Sequence, residues 1–325
     1  MRPLTNEIPK ALVILAGKTL LEWALDRYNK FGIDDIVIAV GWKGSMIEDF
    51  IAKSKIKASV VHVSDYEIGP LQTFLTAINT FDGDFLLSPV DAMIDPASMV
   101  GIRTLHDEVE GQDSMILAVG SNTESGTPVT VSGNNLLTGI GNVGSDSMNI
   151  VRSAMLFMAN TRIREHCISA LGEGKRKVIQ LLEQFIEKGY PVRCYHVNHH
   201  WFDIDTLSDL LAANQYFLQL GGFREPESIF VPSGDSVEIG DILTLKSNIV
   251  FGKGTSLEGP VLIASDCLIG NDCKLGPNVT IDSETTLSKD CEVRDAVIFG
   301  KSNLSTQDRV YRSVIYNSKR YDAEV

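Results

Sequence analysis

The sequence predicts an α/β domain with a mostly parallel sheet, followed by a parallel solenoid of hexapeptide repeats. In roughly the first 220 residues, short apolar runs alternate with amphipathic helical patterns, which is typical of βαβ units. From Ile239 to Phe299 an apolar residue recurs at every sixth position, a period that fits neither a helix nor a flat strand. A chain of 325 residues is long enough for two such domains.

The first half contains five predicted strands and three predicted helices. The strands span residues 36–40, 60–63, 85–87, 115–119 and 192–197. The helices span residues 20–28, 71–79 and 178–188, with Gly189 as the C-cap of the third. We also expect a short strand within residues 11–16. Because ligands of parallel sheets bind at the carboxyl ends of the strands, we expect the chemistry of this domain at that edge.

The second half is predicted from its six-residue period alone. The eleven apolar anchors are Ile239, Leu245, Phe251, Leu257, Ile263, Ile269, Leu275, Ile281, Leu287, Val293 and Phe299. Three hexapeptides form one coil, so we expect somewhat under four coils with the anchors pointing inward. The residue directly after an anchor is often small, and we interpret it as leaving room for a tight corner of the coil. Cys267, Cys273 and Cys291 share the fourth position after an anchor, and we interpret them as stacked packing residues rather than metal ligands.

Composition excludes several classes of function. The 42 acidic and 29 basic side chains give a net charge of −13, which disfavours a general nucleic-acid binder. A phosphate substrate would meet the same negative charge and would need a cation such as Mg²⁺. No stretch approaches the roughly 20 apolar residues of a membrane helix. The five cysteines form no CxxC pair and favour a reducing cytoplasm over a disulfide framework or a zinc site.

Three N-terminal segments together resemble the sugar-1-phosphate nucleotidyltransferase family. They read RPLTxxxPKAL at residues 2–12, AGKxLLEWALDR at residues 16–27 and GIDDIVIAVG at residues 32–41. The resemblance implies a Rossmann-like domain that joins a nucleoside triphosphate to a sugar-1-phosphate and releases pyrophosphate with the help of Mg²⁺. Many members of this family also carry a C-terminal left-handed β-helix of hexapeptide repeats, so the resemblance covers nearly the whole chain.

The family motifs assign roles to residues of this sequence. Lys10 matches the lysine of the PK element, which neutralises phosphate charge in the transition state. The segment at residues 69–74 resembles the nucleotide-binding turn of GLAQAF type. In that turn, Gly69 would allow the backbone to approach the nucleotide and Gln72 would supply an amide for recognition.

The same resemblance implies a metal site and a sugar contact. Asp91, after the predicted strand at residues 85–87, matches the first metal aspartate of the family, and Asp203 matches the second, in a WxDIGT-like element. A carboxylate at the carboxyl end of a strand is suited to holding Mg²⁺ against phosphate oxygens. Asn149 matches the asparagine that contacts sugar hydroxyls.

The sequence also departs from the family pattern. Val90 and Asp205 stand where the family has glycines, and Gly174-Lys175-Arg176-Lys177 replaces an ExTD element. The GGxGTR loop that precedes RPLT in the family is not in the sequence as given. An internal methionine taken as the start would explain this, and so would a real loss, in which case residues 11–16 fill the vacant central strand position.

These departures keep a second class of function open, a non-catalytic homologue that binds a nucleotide sugar or serves as a partner subunit. A hexapeptide acyltransferase is the third and least favoured alternative. Such enzymes use a histidine of the repeat as general base, whereas all six histidines of this chain precede the repeat. We expect an α/β domain at residues 1–222, a linker at 223–236, a β-helix at 237–304 and a C-terminal tail at 305–325. We further expect a cytoplasmic homo-oligomer without nucleic-acid or membrane partners.

Overall fold

The described part of the chain divides into two compact units. A computed structural model describes residues 1–54, 56–94, 97–109, 115–121, 126–141, 150–153, 155–198, 201–220, 238–239 and 243–324. One unit combines Met1–Glu22 with Ile204–Val325, and the other is Trp23–Asp203. No helix among the described residues has the length and apolar character that a bilayer crossing requires. The expected linker at 223–236 lies outside the described residues.

The elements up to residue 220 include the predicted strands and helices and several that the sequence does not predict. The described helices are α1 (Leu20–Lys30), α2 (Gly44–Lys53), α3 (Pro70–Ile78), α4 (Ala97–Glu108), α5 (Arg164–Gly172), α6 (Val178–Lys188) and α7 (Leu207–Gln219). The described strands of this part are β1 (Ile14–Leu15), β2 (Lys18–Thr19), β3 (Val37–Val40), β4 (Ser59–His62), β5 (Asp84–Leu87), β6 (Ala92–Met93), β7 (Met115–Val119), β8 (Thr127–Val131), β9 (Leu137–Ile140), β10 (Ile150–Ser153), β11 (Phe157–Asn160), β12 (Val192–His196) and β13 (Phe202–Asp203). Every predicted strand and helix of the first half is therefore confirmed within one or two residues, including the end of α6 at Gly189 (φ 73°).

The main sheet of the unit Trp23–Asp203 is mixed, whereas the sequence predicts one that is mostly parallel. Its strand order is β12-β7-β11-β5, in which β7 and β12 are parallel but β11 runs antiparallel to both β5 and β7. β3 and β4 form a separate parallel pair. A parallel neighbour needs a long crossover, usually a helix. The described elements between β7 and β11 are instead the antiparallel strands β8, β9 and β10, so β11 enters in the opposite direction.

The core of this unit includes a cluster of aromatic rings that joins α3 to β5 and β11. Phe157 of β11 is fully buried, and its ring centroid lies 5.5 Å from that of Phe74 on α3 and 6.3 Å from that of Phe85 on β5. Edge-on rings at these distances add to the burial of apolar area. Helix α3 and strands β5 and β11 are thereby held as one packed group.

The repeat forms stacked coils, as the six-residue period predicts. Its strands are β14 (Glu238–Ile239), β15 (Leu243–Leu245), β16 (Val250–Phe251), β17 (Ser256–Leu257), β18 (Val261–Ile263), β19 (Leu268–Ile269), β20 (Lys274–Leu275), β21 (Val279–Ile281), β22 (Thr286–Leu287), β23 (Glu292–Phe299), β24 (Asn303–Leu304), β25 (Arg309–Tyr316) and β26 (Lys319–Asp322). From β15 to β20, each strand pairs in parallel with the strand 18 residues further along the chain. This spacing of 18 residues agrees with three six-residue repeats per coil, while the β-helix and its left-handed sense stay predictions.

The corners of the coils use a different position from the one that we predict. The anchors from Leu245 to Val293 are buried, but the left-handed backbone lies three residues after an anchor. It occurs at Asn248, Gly254, Asp266, Asp272, Asn278, Glu284 and Asp290. Asn, Asp and Gly are the residues that tolerate this conformation best. The small residue directly after an anchor serves the stacking of coils, since a Cβ at Gly252 would lie 2.4 Å from the backbone nitrogen of Asn271.

The three cysteines of the repeat are buried packing residues, as expected. The Cys273 thiol donates to the carbonyl of Ser288 in the next coil at 3.2 Å, and Thr255 makes the equivalent bond to Gly270 at 3.1 Å. A compact donor at this position therefore satisfies a corner carbonyl of the neighbouring coil. Burial raises the pKa of the Cys267 and Cys291 thiols to about 11, so both stay protonated and poorly reactive at neutral pH.

The coil stack continues past residue 304, where we expect a tail to begin. β25 pairs with β23 in parallel along its whole length, and β26 then folds back antiparallel on β25. The spacing shortens from 18 to 17 residues at this end, because Ile281 pairs with Ile298 rather than with the predicted anchor Phe299, and Ile298 pairs with Ile315. The hairpin of β25 and β26 thus ends the repeat with a reversed strand, which blocks further parallel stacking.

The N-terminal residues and α7 belong to the same compact unit as the repeat. The buried Asn214 of α7 accepts from the Ala16 backbone at 3.0 Å and from the Thr280 hydroxyl at 2.8 Å. The predicted strand within residues 11–16 exists as β1, but it pairs with β2 in a short antiparallel hairpin. The expectation that it fills a central strand position is therefore wrong. The spatial units also cut the chain differently from the expected segments 1–222 and 237–304.

Candidate active site

The structure brings Asp91 and Asp203 together at the edge where β5 ends. β5 leads into a turn at residues 88–91, and β6 then pairs antiparallel with β13, which places Ala92 opposite Asp203. A carboxylate oxygen of Asp91 lies within 4.8 Å of one of Asp203. Both residues are partly buried. Two aspartates that lie far apart in the sequence thus form one carboxylate pair.

The tryptophan of the WxD element fixes the strand that carries Asp203. Trp201 is 1% exposed and packs against Gly120 and Gly126. A Cβ at Gly126 would lie 2.5 Å from the Trp201 ring, and its φ of +93° also favours glycine. The indole therefore occupies space that any larger residue at position 126 would fill. Burial of this ring holds the start of β13, and with it the position of the Asp203 backbone.

Gly69 and Gln72 lie in the turn that starts α3. Gly69 has φ 137°, and a Cβ there would lie 2.6 Å from the backbone oxygen of Arg176. That same oxygen accepts from the Leu71 backbone at 2.9 Å. The glycine is thus required by the close approach of the loop between α5 and α6. Gln72 is partly buried, and its backbone nitrogen donates to the Gly69 carbonyl at 3.0 Å.

Lys10 belongs to the other compact unit, where its partner is Asp205. The Lys10 Nζ lies 2.8 Å from Asp205 Oδ1, and the two side chains are 25% and 72% exposed. Asp205 stands where the family pattern has a glycine, so this ion pair follows from one of the departures noted in the sequence. The structure therefore pairs the predicted catalytic lysine with a carboxylate that the family pattern lacks.

Sequence reasoning leaves one predicted contact untested and misses two site residues. Asn149 lies outside the described residues. The sequence assigns no site role to Arg27, the last residue of the AGKxLLEWALDR segment, or to Asp205, which it marks only as a departure from a family glycine. The signal for Asp205 is the substitution of a family glycine by an acid. The signal for Arg27 is weaker, since an arginine at the end of an amphipathic helix is usually solvated.

The donor set of the carboxylate pair fits a magnesium ion. Mg²⁺ prefers oxygen ligands, and proteins commonly hold it with one or two carboxylates while substrate phosphates supply further ligands. Asp91 and Asp203 provide two such carboxylates close enough to share an ion. The carboxyl end of a strand is also where ligands of α/β sheets bind. Among the described residues, the group of potential metal ligands that includes this pair contains no histidine or cysteine.

Comparison with known proteins assigns the larger part of the chain to a family. Residues 4–183, more than half of the chain, match the MobA-like NTP transferase domain. The chain belongs to the MobA-like NTP transferase domain family. This NTP transferase domain contains the turn at Gly69 and the aspartate Asp91, and the predicted membership in a nucleotidyltransferase family is confirmed. Residues 257–323 match a second family, the GMPPB C-terminal domain.

Curated relatives of this chain share limited parts of their length with it. N-acetylmuramate alpha-1-phosphate uridylyltransferase of Neisseria meningitidis serogroup B is 38% identical over 73 residues, which are 22% of this chain and 32% of the relative. Bifunctional protein GlmU of Methanocaldococcus jannaschii is 23% identical over 227 residues, which are 67% of this chain and 51% of the relative. The chain thus spans between about a third and about half of these relatives.

A solved structure supports the fold of the NTP transferase domain. The inositol-1-phosphate CTP transferase from T. maritima superposes with a TM-score of 0.56 over 64% of this chain and 85% of that chain. The sequence identity is 18%, so the likeness concerns the fold. The family match and the solved structure both agree with the α/β architecture that the alternating pattern predicts.

Proposed function

We propose that this protein is a Mg²⁺-dependent sugar-1-phosphate nucleotidyltransferase. The Asp91–Asp203 carboxylate pair in an NTP transferase fold carries the proposal. In this reaction a phosphate oxygen of the sugar-1-phosphate attacks the α-phosphorus of the nucleoside triphosphate. The bond between the α-phosphorus and the bridging oxygen breaks, and pyrophosphate leaves with that oxygen. The relative from Neisseria meningitidis is named as a uridylyltransferase that acts on a sugar 1-phosphate, a transfer of this kind.

The chain supplies binding, orientation and charge for this reaction. Asp91 and Asp203 would hold the Mg²⁺, which neutralises phosphate charge when it is bound. Lys10 would offset further negative charge as it develops on the phosphates. Gly69 and Gln72 would receive the nucleotide, and Asn149 would contact the sugar. Such a site works mainly by positioning the reactants and neutralising their charge, because the protein needs to do little covalent chemistry in phosphoryl transfer.

The repeat has a separate proposed role. We propose that the stacked coils form a left-handed β-helix that packs protomers into a homo-oligomer, supported by the parallel register of the coils and the match to the GMPPB C-terminal domain. The repeat has no histidine to act as the base of an acyltransferase. We also propose a cytoplasmic location, which the five free buried cysteines support.

Pyrophosphate release from the chain of 325 residues tests the proposed reaction. Each of ATP, CTP, GTP, UTP and dTTP is incubated with glucose-, mannose- or N-acetylglucosamine-1-phosphate. We expect release with at least one pair, dependent on both substrates, and its loss when EDTA removes Mg²⁺. Each reaction is repeated without the sugar-1-phosphate. Pyrophosphate release that continues in its absence would show that the sugar-1-phosphate is not the acceptor. Absence of release from every pair, together with calorimetric binding of a nucleotide sugar, would establish the non-catalytic alternative instead.

The ion pair of Lys10 is the observation that favours this alternative, and it yields a prediction. Asp205→Gly restores the family residue and removes the carboxylate that pairs with Lys10. A partly exposed ion pair contributes up to about 1 kcal/mol, so we expect kcat/KM for the triphosphate to rise about two- to fivefold. The measurement is steady-state pyrophosphate release.

Asp205→Glu is the matched control, because it keeps the charge and should leave kcat/KM near that of the wild type. A fall in kcat/KM for Asp205→Gly would mean that Asp205 assists the reaction rather than competing for Lys10.

A further inference from the structure

A buried arginine holds the turn that carries Asp91. Arg27 lies in the last turns of α1, and the residue is only 5% exposed. Its Nη1 donates to the Ala92 carbonyl at 2.6 Å, and its Nη2 donates to the Ser88 hydroxyl at 3.3 Å. Arginine is seldom buried to this degree unless it is paired, because taking its charge out of water is costly. Here both hydrogen-bond acceptors are neutral oxygens.

The two acceptors bracket the first aspartate of the carboxylate pair. Ser88 opens the turn after β5, and Ala92 is the first residue of β6. Ala92 also lies opposite Asp203 in the pairing of β6 with β13. One guanidinium thus binds the turn on both sides of Asp91 and contacts the backbone that sets the place of Asp203.

Binding two oxygens at once requires an arginine and not merely a positive charge. The guanidinium presents its donors in one rigid plane, so two oxygens bound to it are held at a fixed separation. A lysine ammonium is a point charge on a flexible stem and does not fix two acceptors in this way. The Ser88 hydroxyl in turn donates to the Pro89 carbonyl at 3.1 Å, which stiffens the same turn.

We propose that Arg27 is a positioning residue for the metal-binding pair, which holds the turn at residues 88–92 so that the Asp91 carboxylate stays beside that of Asp203. The proposal rests on the proposed function in taking Asp91 and Asp203 as metal ligands. It does not depend on the substrate or on turnover. Outer residues that orient metal ligands typically change metal affinity by about 10- to 100-fold when they are lost.

A matched control lies at the other end of β5. Arg164 on α5 donates through Nε to the Ile78 carbonyl at 2.9 Å and pairs with Asp82 at 2.7 Å, just before β5 begins. It therefore clamps a turn with carbonyl contacts, as Arg27 does, but on the side of β5 away from Asp91. Loss of Arg164 should reduce stability without changing the carboxylate pair.

The test is titration of the full chain with Mn²⁺ alone, followed by the electron paramagnetic resonance signal of the free ion. We expect Arg27→Met to weaken Mn²⁺ binding at least about tenfold, Arg27→Lys to recover little of it, and Arg164→Met to bind as the wild type does. Far-ultraviolet circular dichroism and Tm establish that each variant is folded. Folded Arg27→Met with wild-type affinity would overturn the proposal, and so would an equal loss in Arg164→Met.

Further variants keep the proposal testable if Arg27→Met does not fold. Ser88→Ala removes one of the two contacts of Arg27, and we expect it to weaken Mn²⁺ binding by about threefold. Unchanged affinity in Ser88→Ala would then overturn the proposal, as would Asp91→Asn that binds Mn²⁺ like the wild type. If the wild type binds Mn²⁺ through Asp91 but releases no pyrophosphate from any pair, the proposed function fails while the role of Arg27 stands.

Discussion

Asp91→Asn is expected to lower kcat for pyrophosphate release by about 10²- to 10³-fold. The substitution keeps the size of the side chain and removes its charge, so the loss reports the carboxylate rather than packing. Asp91 and Asp203 lie within 4.8 Å of each other, and a divalent ion shared between them would lose one anionic ligand. Losing a group that stabilises transition-state charge typically costs several kcal/mol, which corresponds to a rate loss of about this size.

The measurement is steady-state pyrophosphate release with the substrate pair found for the wild type, across a range of Mg²⁺ concentrations. Asp82→Asn is the control, because this aspartate lies before β5, is 90% exposed and pairs with Arg164. Asp203→Asn should cost as much as Asp91→Asn, and the double variant should cost little more, because the two residues act as one unit. Activity above half of the wild type in Asp91→Asn would remove this pair from the mechanism.

Phe157→Ala is expected to lower the free energy of unfolding by about 3–5 kcal/mol. The ring is fully buried, contacts Phe74 and Phe85, and stands on β11 between Leu87 and Leu117. Removing it deletes apolar contacts and leaves a cavity that the neighbouring strands can only partly close. A loss of this size is large beside the usual net stability of a domain.

Urea unfolding followed by circular dichroism, with the transition of this unit fitted separately, measures the change. Phe157→Leu is the matched control, because it keeps most of the volume and should cost clearly less than the alanine variant. A change below about 1 kcal/mol in Phe157→Ala would mean that the ring is not central to this core.

The elements that could be predicted from the sequence are those whose cause is local. The period of six predicts three hexapeptides per coil, because each anchor must face inward whatever surrounds the coil. The helix Val178–Lys188 and its C-cap at Gly189 are predicted to the residue, because its apolar face and the left-handed glycine are set within one segment. The corner position is missed, since anchors reveal what points inward but not which residue turns the chain.

Other features depend on partners that are distant in the sequence. The antiparallel direction of β11 follows from the chain path through β8, β9 and β10, which apolar spacing does not encode. Asn214 looks like a polar residue on a helix, yet it is fully buried and bonds Ala16 and Thr280. From the sequence, Arg27 likewise looks like a solvated residue at the end of a helix. The structure shows instead that it donates to Ser88 and Ala92.

The sequence by itself determined the two architectures, the repeat of six and, through its motifs, the residue types of a nucleotidyltransferase. These depend on spacing and side-chain chemistry within short segments. Only the tertiary structure decided that Asp91 meets Asp203, that Asp205 engages Lys10, and that Arg27 clamps the turn of the first aspartate. Each of these contacts joins residues at least 61 positions apart, and their proximity arises from strand pairing and burial, which no local pattern specifies.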